Sequence, residues 1–403
     1  MEWASFLYAS DIFMPSNDSI SAQAIIAGSL AGIVGFSSSF VIVLHGLQAA
    51  GASSAEATSG IMALSVAMGL GGIGLSALSR MPISVAWSTP GAALLTTTGY
   101  IESGFAGAVG AFLLSSILLI FAGIFKPLGR AVSAIPAPLA NAMLAGILLH
   151  LCLAPVHAVA ENPWIGLFII LIWAITARLK RLLAVPAALV SVLIVIGLTK
   201  GGGSFQPIEF FAPPILVLPV FSLSAFLSVA FPLFLVTMAS QNIPGIAVLA
   251  VNGYKPEPGP LFTVTGVLSL LSNPFGGHAV NLAAITAAMC AGPDAHTDIK
   301  RRYWAGIASG LVYIVFGIFA GAATSIIGIS PPIYIEAVAG LALIGAFSTA
   351  LFAALSDSEF REAAAITFLV SASGLVIFSV GSAFWGLIAG GFILMLRYKG
   401  RSA

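Results

Sequence analysis

A chain of 403 residues that is 59% hydrophobic and only 7% charged cannot dress a water-soluble surface, for which about a quarter of the side chains would carry charge. Its formal net charge of +1 offers no electrostatic footprint for nucleic acid, and the solvent for most of its surface is lipid. The expected class is an all-α polytopic membrane protein.

Residues 1–19 hold Glu2, Asp11 and Asp18 but no Lys or Arg. That is the wrong charge for a secretory signal, and insertion through the chain's own helices is expected. A spanning helix needs about 20 largely apolar residues. Candidate spans follow at 20–49, 56–78, 83–99, 104–125, 136–153, 162–178, 183–199, 223–249, 258–272, 275–291, 303–327, 332–354, 361–378 and 381–396, which predicts fourteen crossings. Segments 83–99 and 275–291 are short and broken by Gly and Pro, so charge serves as the check. If every segment crosses, Arg80, Lys126, Arg130, Arg178, Lys180, Arg181, Lys255, Lys300, Arg301, Arg302, Arg361, Arg397, Lys399 and Arg401 share one face, leaving only Lys200 opposite. The positive-inside rule then puts both termini in the cytoplasm. Were the two short segments re-entrant, Lys126, Arg130, Arg178, Lys180, Arg181 and Lys255 would change sides and the asymmetry would blur.

The Gly- and Pro-rich stretch 200–222 parts seven crossings from seven. An odd number per half inserts the second half upside down. This is the inverted-repeat plan of secondary carriers, in which substrate binds near the midplane where unusual segments of the two halves meet. Segments 3 and 10 are the unusual ones. Each opens with a proline, Pro82 and Pro274, runs through residues poor in helix formers, and then becomes Ala-rich. Each is predicted to begin as a short strand and turn helical near mid-membrane. Such backbone cannot face lipid, so the strands must lie inside. Helices starting at Ser88 or Thr89, and at Val280 or Asn281, would then aim positive ends at one central volume, where anions are favoured.

Several polar groups fall at membrane depth. His278, in the run Gly276-Gly277-His278-Ala279-Val280-Asn281, is either a titrating group facing a cavity with Asn281 or a neutral ring bonded to a carbonyl freed by the broken helix. Ser240, Gln241 and Asn242 interrupt apolar segment 8 and either line a substrate site or bond between helices. Ser37, Ser38 and Ser39 match them in segment 1, where close helix packing is the simpler role. Trp87 either stacks on a substrate ring or fills core. His45 has no acidic neighbour in the sequence, His150 and His157 are expected near an interface, and His296 belongs to a charged loop. Cys152 and Cys290 are too few for a disulfide or metal framework. Glu56, Glu102, Glu161, Glu336, Asp357 and Glu362 all fall at segment ends or in loops, so a coupled proton would have to ride on His278 or on the substrate's own carboxylate. With no Walker loop, HExxH helix or redox cysteine pair, neither ATP-driven pumping nor enzyme chemistry is expected, and no cofactor or metal.

The runs SQNIPGIAVL (Ser240 to Leu249), NPFGGHAVNLAAIT (Asn273 to Thr286) and CAGP (Cys290 to Pro293), with Pro82 to Gly91, resemble the benzoate:proton symporter family over essentially the whole chain. The resemblance implies the fold of the nucleobase and ascorbate carriers and of the sulfate and bicarbonate exchangers, seven plus seven inverted helices. It divides the chain into a cytoplasmic segment 1–19, core pieces 20–126 and 223–327, gate pieces 127–199 and 328–396, an extracytoplasmic linker 200–222 and a cytoplasmic tail 397–403. It implies import of benzoate or a related small aromatic carboxylate with protons, by alternating access, in a bacterial inner membrane, and it allows a homodimer through the gate. Nucleobase carriers hold their base with carboxylates from segments 8 and 10. Here Ser240, Gln241, Asn242, Val280 and Asn281 stand in those neighbourhoods, which favours an anionic ligand. The expected site is Ser38, Ser39, Trp87, Ser88, Thr89, Gln241, Asn242, Gly277, His278 and Asn281, with His278 as the proton-coupling group. A uniporter, an exchanger of another small anion, or an anion channel are the alternatives.

Overall fold

A computed structural model describes residues 20–98, 101, 103–125, 136–199, 210–283, 285–328, 331–375, 377 and 382–401. Residues 1–19 and 200–209, with Glu102, Lys126, Arg130 and Lys200, lie outside them, so the part of the topology expectation that rests there is not addressed by the structure.

In chain order the helices and strands are α1 (Ala22–Ala49), α2 (Ser54–Ser79), β1 (Val85–Trp87), α3 (Thr89–Leu95), α4 (Gly104–Ile124), α5 (Ala137–Glu161), α6 (Pro163–Leu179), α7 (Ala184–Thr199), α8 (Leu223–Val251), α9 (Pro258–Ser272), β2 (Val280–Leu282), α10 (Ile285–Ala291), α11 (Tyr303–Ile318), α12 (Ala320–Gly328), α13 (Pro332–Ser356), α14 (Arg361–Ala372) and α15 (Ser382–Arg401). Among the described residues α1, α2, α4, α5, α8 and α13 are long and apolar enough to cross a membrane. Several helix starts are written in the sequence. Ser21 caps α1, a Ser53/Glu56 capping box opens α2, and Asn162 followed by Pro163 opens α6, each supplying acceptors or removing donors at an otherwise unpaired helix end.

The two short strands pair antiparallel, Val85 with Leu282, Ala86 with Asn281 and Trp87 with Val280. The ladder continues one step each way, from Ser88 N–H to Ala279 O and from Ala283 N–H to Ser84 O, both at 2.9 Å. The left-handed turn at Gly276, φ 90°, which suits glycine, feeds the second strand. One expectation is corrected here: Val280 and Asn281 do not start a helix but lie in β2, and α10 begins at Ile285. The ladder with β1 satisfies their amides more fully than a free helix start would.

The helix α8 is not regular. π-helical turns at Phe226–Ala230 and Met238–Asn242 interrupt it, and the second carries Ser240, Gln241 and Asn242. Such bulges cluster at functional sites.

Two packing groups result. In one, α11 lies against α1 and α2, and α4 against α9. A Cβ on Gly69 of α2 would stand 2.5 Å from the Gly310 carbonyl oxygen of α11, so glycine sets that close approach. In the other group, α5 lies against α13 and α14, and α14 against α15. Helix α1 touches α13, and α3 touches α5, where the groups meet. That meeting corrects the expectation for His45, whose Nε2 stands 3.2 Å from a Glu336 carboxylate oxygen, a partner 291 residues away in sequence and invisible to local reading.

Candidate functional site

The strand crossing is the hub of a buried polar cluster drawn from five parts of the chain. Ser88, wholly buried at the end of β1, uses nearly every polar atom it has. Its N–H reaches Ala279 O, its Oγ accepts from Gly91 N–H at 3.1 Å and from the Thr237 hydroxyl of α8 at 2.9 Å, and its carbonyl lies 2.9 Å from His278 Nε2. A carbonyl only accepts, so Nε2 carries the hydrogen. The geometry matches the brace reading of His278: a ring tying the second strand segment to the first. Its Nδ1 is buried without a partner among the described residues.

The second strand is pinned from behind. Asn273 Nδ2 donates to the carbonyls of Gly277 and His278 at 2.9 and 2.8 Å, while its Oδ1 accepts from Ser116 of α4 at 2.8 Å. Ser269 Oγ accepts from Val280 N–H at 2.8 Å. In front, Asn242 Oδ1 accepts from Leu282 N–H at 2.8 Å and so spends its carbonyl on the strand. Trp87 donates from Nε1 to Ser39 Oγ of α1 at 2.7 Å and packs its ring against Phe36, with centroids 5.2 Å apart.

Asn281 differs from all of these. It is fully buried, yet neither its side-chain oxygen nor its nitrogen has a partner among the described residues. Cross-strand partners share a face, and the residue opposite is Ala86, which is partly exposed. The ribbon face that Asn281 shares with Ala86 is therefore partly exposed at Ala86 and buried at Asn281. Thr89, Ser38, Ser240 and Gln241 are also partly exposed, whereas Trp87, Ser88, Asn242, Gly277 and His278 are sealed in. Among the described residues, Ser38 bonds only back to the Gly35 carbonyl in its own helix, at 3.4 Å. The start of α3 offers few free amides, since Gly91 is taken by Ser88 and Pro90 has none.

The structure thus brings Ser39, Trp87, Ser88, Thr89, Asn242, His278 and Asn281 together, with Gln241 in the same π turn as Asn242. It gives Gly277 a backbone part only. Thr237, Ser269, Asn273 and Ser116 complete the cluster and were not singled out by sequence. Asn273 alone had a signal, its place before Pro274. The cluster holds dipoles and one imidazole and no formal charge.

Residues 18–396 match the family described as benzoate membrane transport protein, BenE. The chain belongs to this family. A benzoate membrane transport protein of Acinetobacter baylyi is 33% identical over 94% of this chain and 96% of its own length. Inner membrane protein YdcO of Escherichia coli K12 is 40% identical over 93% and 95%. These relatives are named for transport or for their membrane rather than for catalysis, and the BenE chain here is an integral membrane protein. Among solved structures, its fold resembles the transmembrane domain of a cyanobacterial bicarbonate transporter, BicA, with a TM-score of 0.62 at 16% identity, covering 92% of this chain and 97% of that one. It also resembles the murine anion transporter Slc26a9, with a TM-score of 0.63 at 14% identity, covering 98% of this chain and 71% of that one. At such identities the likeness carries the fold alone. In this BenE chain, polar groups gather where the two short strands cross.

Proposed function

We propose that the protein imports benzoate or a related small aromatic carboxylate by proton symport and alternating access. In this reading all fourteen segments cross, both termini are cytoplasmic, and the two halves are inverted repeats. Segments 1–4 and 8–11 form the core and 5–7 and 12–14 the gate, a division that the two packing groups support. The carboxylate sits on the Asn281 and Ala86 face of the strand crossing, within reach of Thr89 and Gln241, and the ring lies against apolar side chains.

The observation that carries the proposal is the unpartnered Asn281 amide. A buried amide left without hydrogen bonds costs about 1–3 kcal/mol per group, which is tolerable where a ligand supplies the missing partner. A neutral donor with no competing cation suits a monoanion that must also leave. His278, as a brace, is a positioning residue, so the coupling proton needs another acceptor.

The test is uptake of labelled benzoate into proteoliposomes under an inward proton gradient, corrected for passive leak of benzoic acid through protein-free vesicles. Protein-dependent, gradient-driven uptake that Asn281→Leu removes supports the proposal. Absence of protein-dependent uptake sinks the benzoate assignment, and uptake indifferent to the gradient leaves a uniporter or exchanger.

A further inference from the structure

The imidazole of His45 on α1 and the carboxylate of Glu336 on α13, 3.2 Å apart, are 29% and 30% exposed. A carboxylate accepts, so Nε2 of His45 carries the hydrogen between them. The other ring nitrogen, Nδ1, is buried and has no partner among the described residues. It is a vacant proton acceptor one ring away from an anion.

Glu336 also feels His150 and His157 of α5, the helix that lies along α13. Among the described residues, Arg181 lies against Gly345 midway along α13, and the other helices packed on α13 bring no further charge to the Glu336 end. On α1 the titratable group is His45; α7 carries none; Arg178 of α6 and Arg361 and Glu362 of α14 belong to the end where α13 finishes. Glu161 closes α5 four residues beyond His157. The His45–Glu336 pair stands where the two packing groups meet, α1 against α13.

We propose that His45 and Glu336, flanked by His150 and His157, form a proton-binding site at the extracytoplasmic end of the seam between core and gate, and that the proton it takes up draws that seam shut. This rests on the domain and topology reading given above. A neutral His45 offers Glu336 one hydrogen bond. With Glu336 ionised that bond is already charge-assisted; protonation at Nδ1 makes it a bond between opposite charges, which is stronger. The shut seam therefore holds the proton more tightly than the open one, and by linkage the proton favours the shut seam. An acidic exterior then closes the outer side behind the substrate, the direction an importer needs. His278 is wholly buried and already bonded to Ser88 O, whereas the His45 side chain is partly exposed.

The test uses full-length protein in lipid nanodiscs, with Cys152 and Cys290 replaced by Ala and spin labels on Gln48→Cys of α1 and Ala160→Cys of α5, both exposed. Electron–electron resonance distances are measured from pH 8 to pH 5.5, with and without benzoate. The short-distance population should grow relative to the long one by about three- to fivefold as pH falls, the scale of a half-exposed ion pair. Glu336→Gln and His45→Gln should each flatten that response, and loss in either well-folded variant supports the site. Distances indifferent to pH in the parent protein, or a response kept in both variants, overturn it. If benzoate shifts the distances while pH does not, the proton site alone fails; if pH shifts them while benzoate does not, the site stands and the benzoate assignment fails.

Discussion

The strand crossing and the His45–Glu336 seam solve opposite problems with polar groups. At the crossing, Ser88, Asn242, Asn273, His278 and Asn281 are buried and uncharged, and all but Asn281 are tied to backbone or hydroxyl partners. At the seam, His45 and Glu336 are partly exposed and can be charged. The contrast follows from desolvation. A charge deep in the protein costs several kcal/mol unless paired, while a dipole needs only a hydrogen bond, so dipoles suit the centre and chargeable groups suit the partly exposed seam. The sharpest ways to break this comparison begin at the centre.

Asn281→Leu should have the largest effect. It removes the one open amide and leaves apolar volume in its place, so protein-dependent benzoate uptake should fall about a hundredfold, the worth of one to two hydrogen bonds to a charged group. The same substitution should raise the thermal stability of the substrate-free protein by about 1 kcal/mol, because an unpaired buried amide disappears. Uptake intact alongside higher stability would make Asn281 a structural flaw rather than a ligand contact. Next, Asn273→Ala strips partners from the Gly277 and His278 carbonyls and from Ser116, and should cost about 2–3 kcal/mol of stability in a detergent melting assay. His278→Gln, whose amide nitrogen can replace Nε2 at the Ser88 carbonyl, should keep uptake within about threefold, whereas His278→Ala should lose more than tenfold. Equal loss in both would return the coupling role to the imidazole itself.

How much of this was readable beforehand depended on whether the cause was local. Pro82 and Pro274, with the glycines at 276 and 277, announce broken segments because proline and glycine act on their own backbone, and the two strands lie where those residues point. The polar run Ser240 to Asn242 stands out against its apolar helix in the same way. The register of Ala86 with Asn281 is a long-range pairing that no single segment encodes, and the helix expected at Val280 gave way to it. The bonds of Asn273 and Thr237 become visible only when Ser116, Gly277 and Ser88 arrive from elsewhere. His45 is the clearest case: it has no nearby acid in the chain, and its partner comes with the folding of α13 against α1.

Trp87 carries the smallest predicted effect and settles whether the cluster's aromatic is ligand or wall. Its ring lies on Phe36 and its Nε1–H is spent on Ser39 Oγ at 2.7 Å, with the side chain sealed from solvent. Ser39→Ala leaves that indole N–H unpaired and should cost about 1–2 kcal/mol of stability. Trp87→Phe removes the donor and leaves the Ser39 hydroxyl with the bond it already donates to the Gly35 carbonyl at 2.9 Å. The double variant should then cost less than the sum of the two, by about 1 kcal/mol, because the pair is lost together rather than half at a time. Benzoate affinity should stay within about twofold in Trp87→Phe, since a wall residue touches substrate only through its neighbours. A larger loss that scales with the size of the substrate's ring would place Trp87 against the ligand and move the binding face from Ala86 and Asn281 to the opposite side of the ribbon.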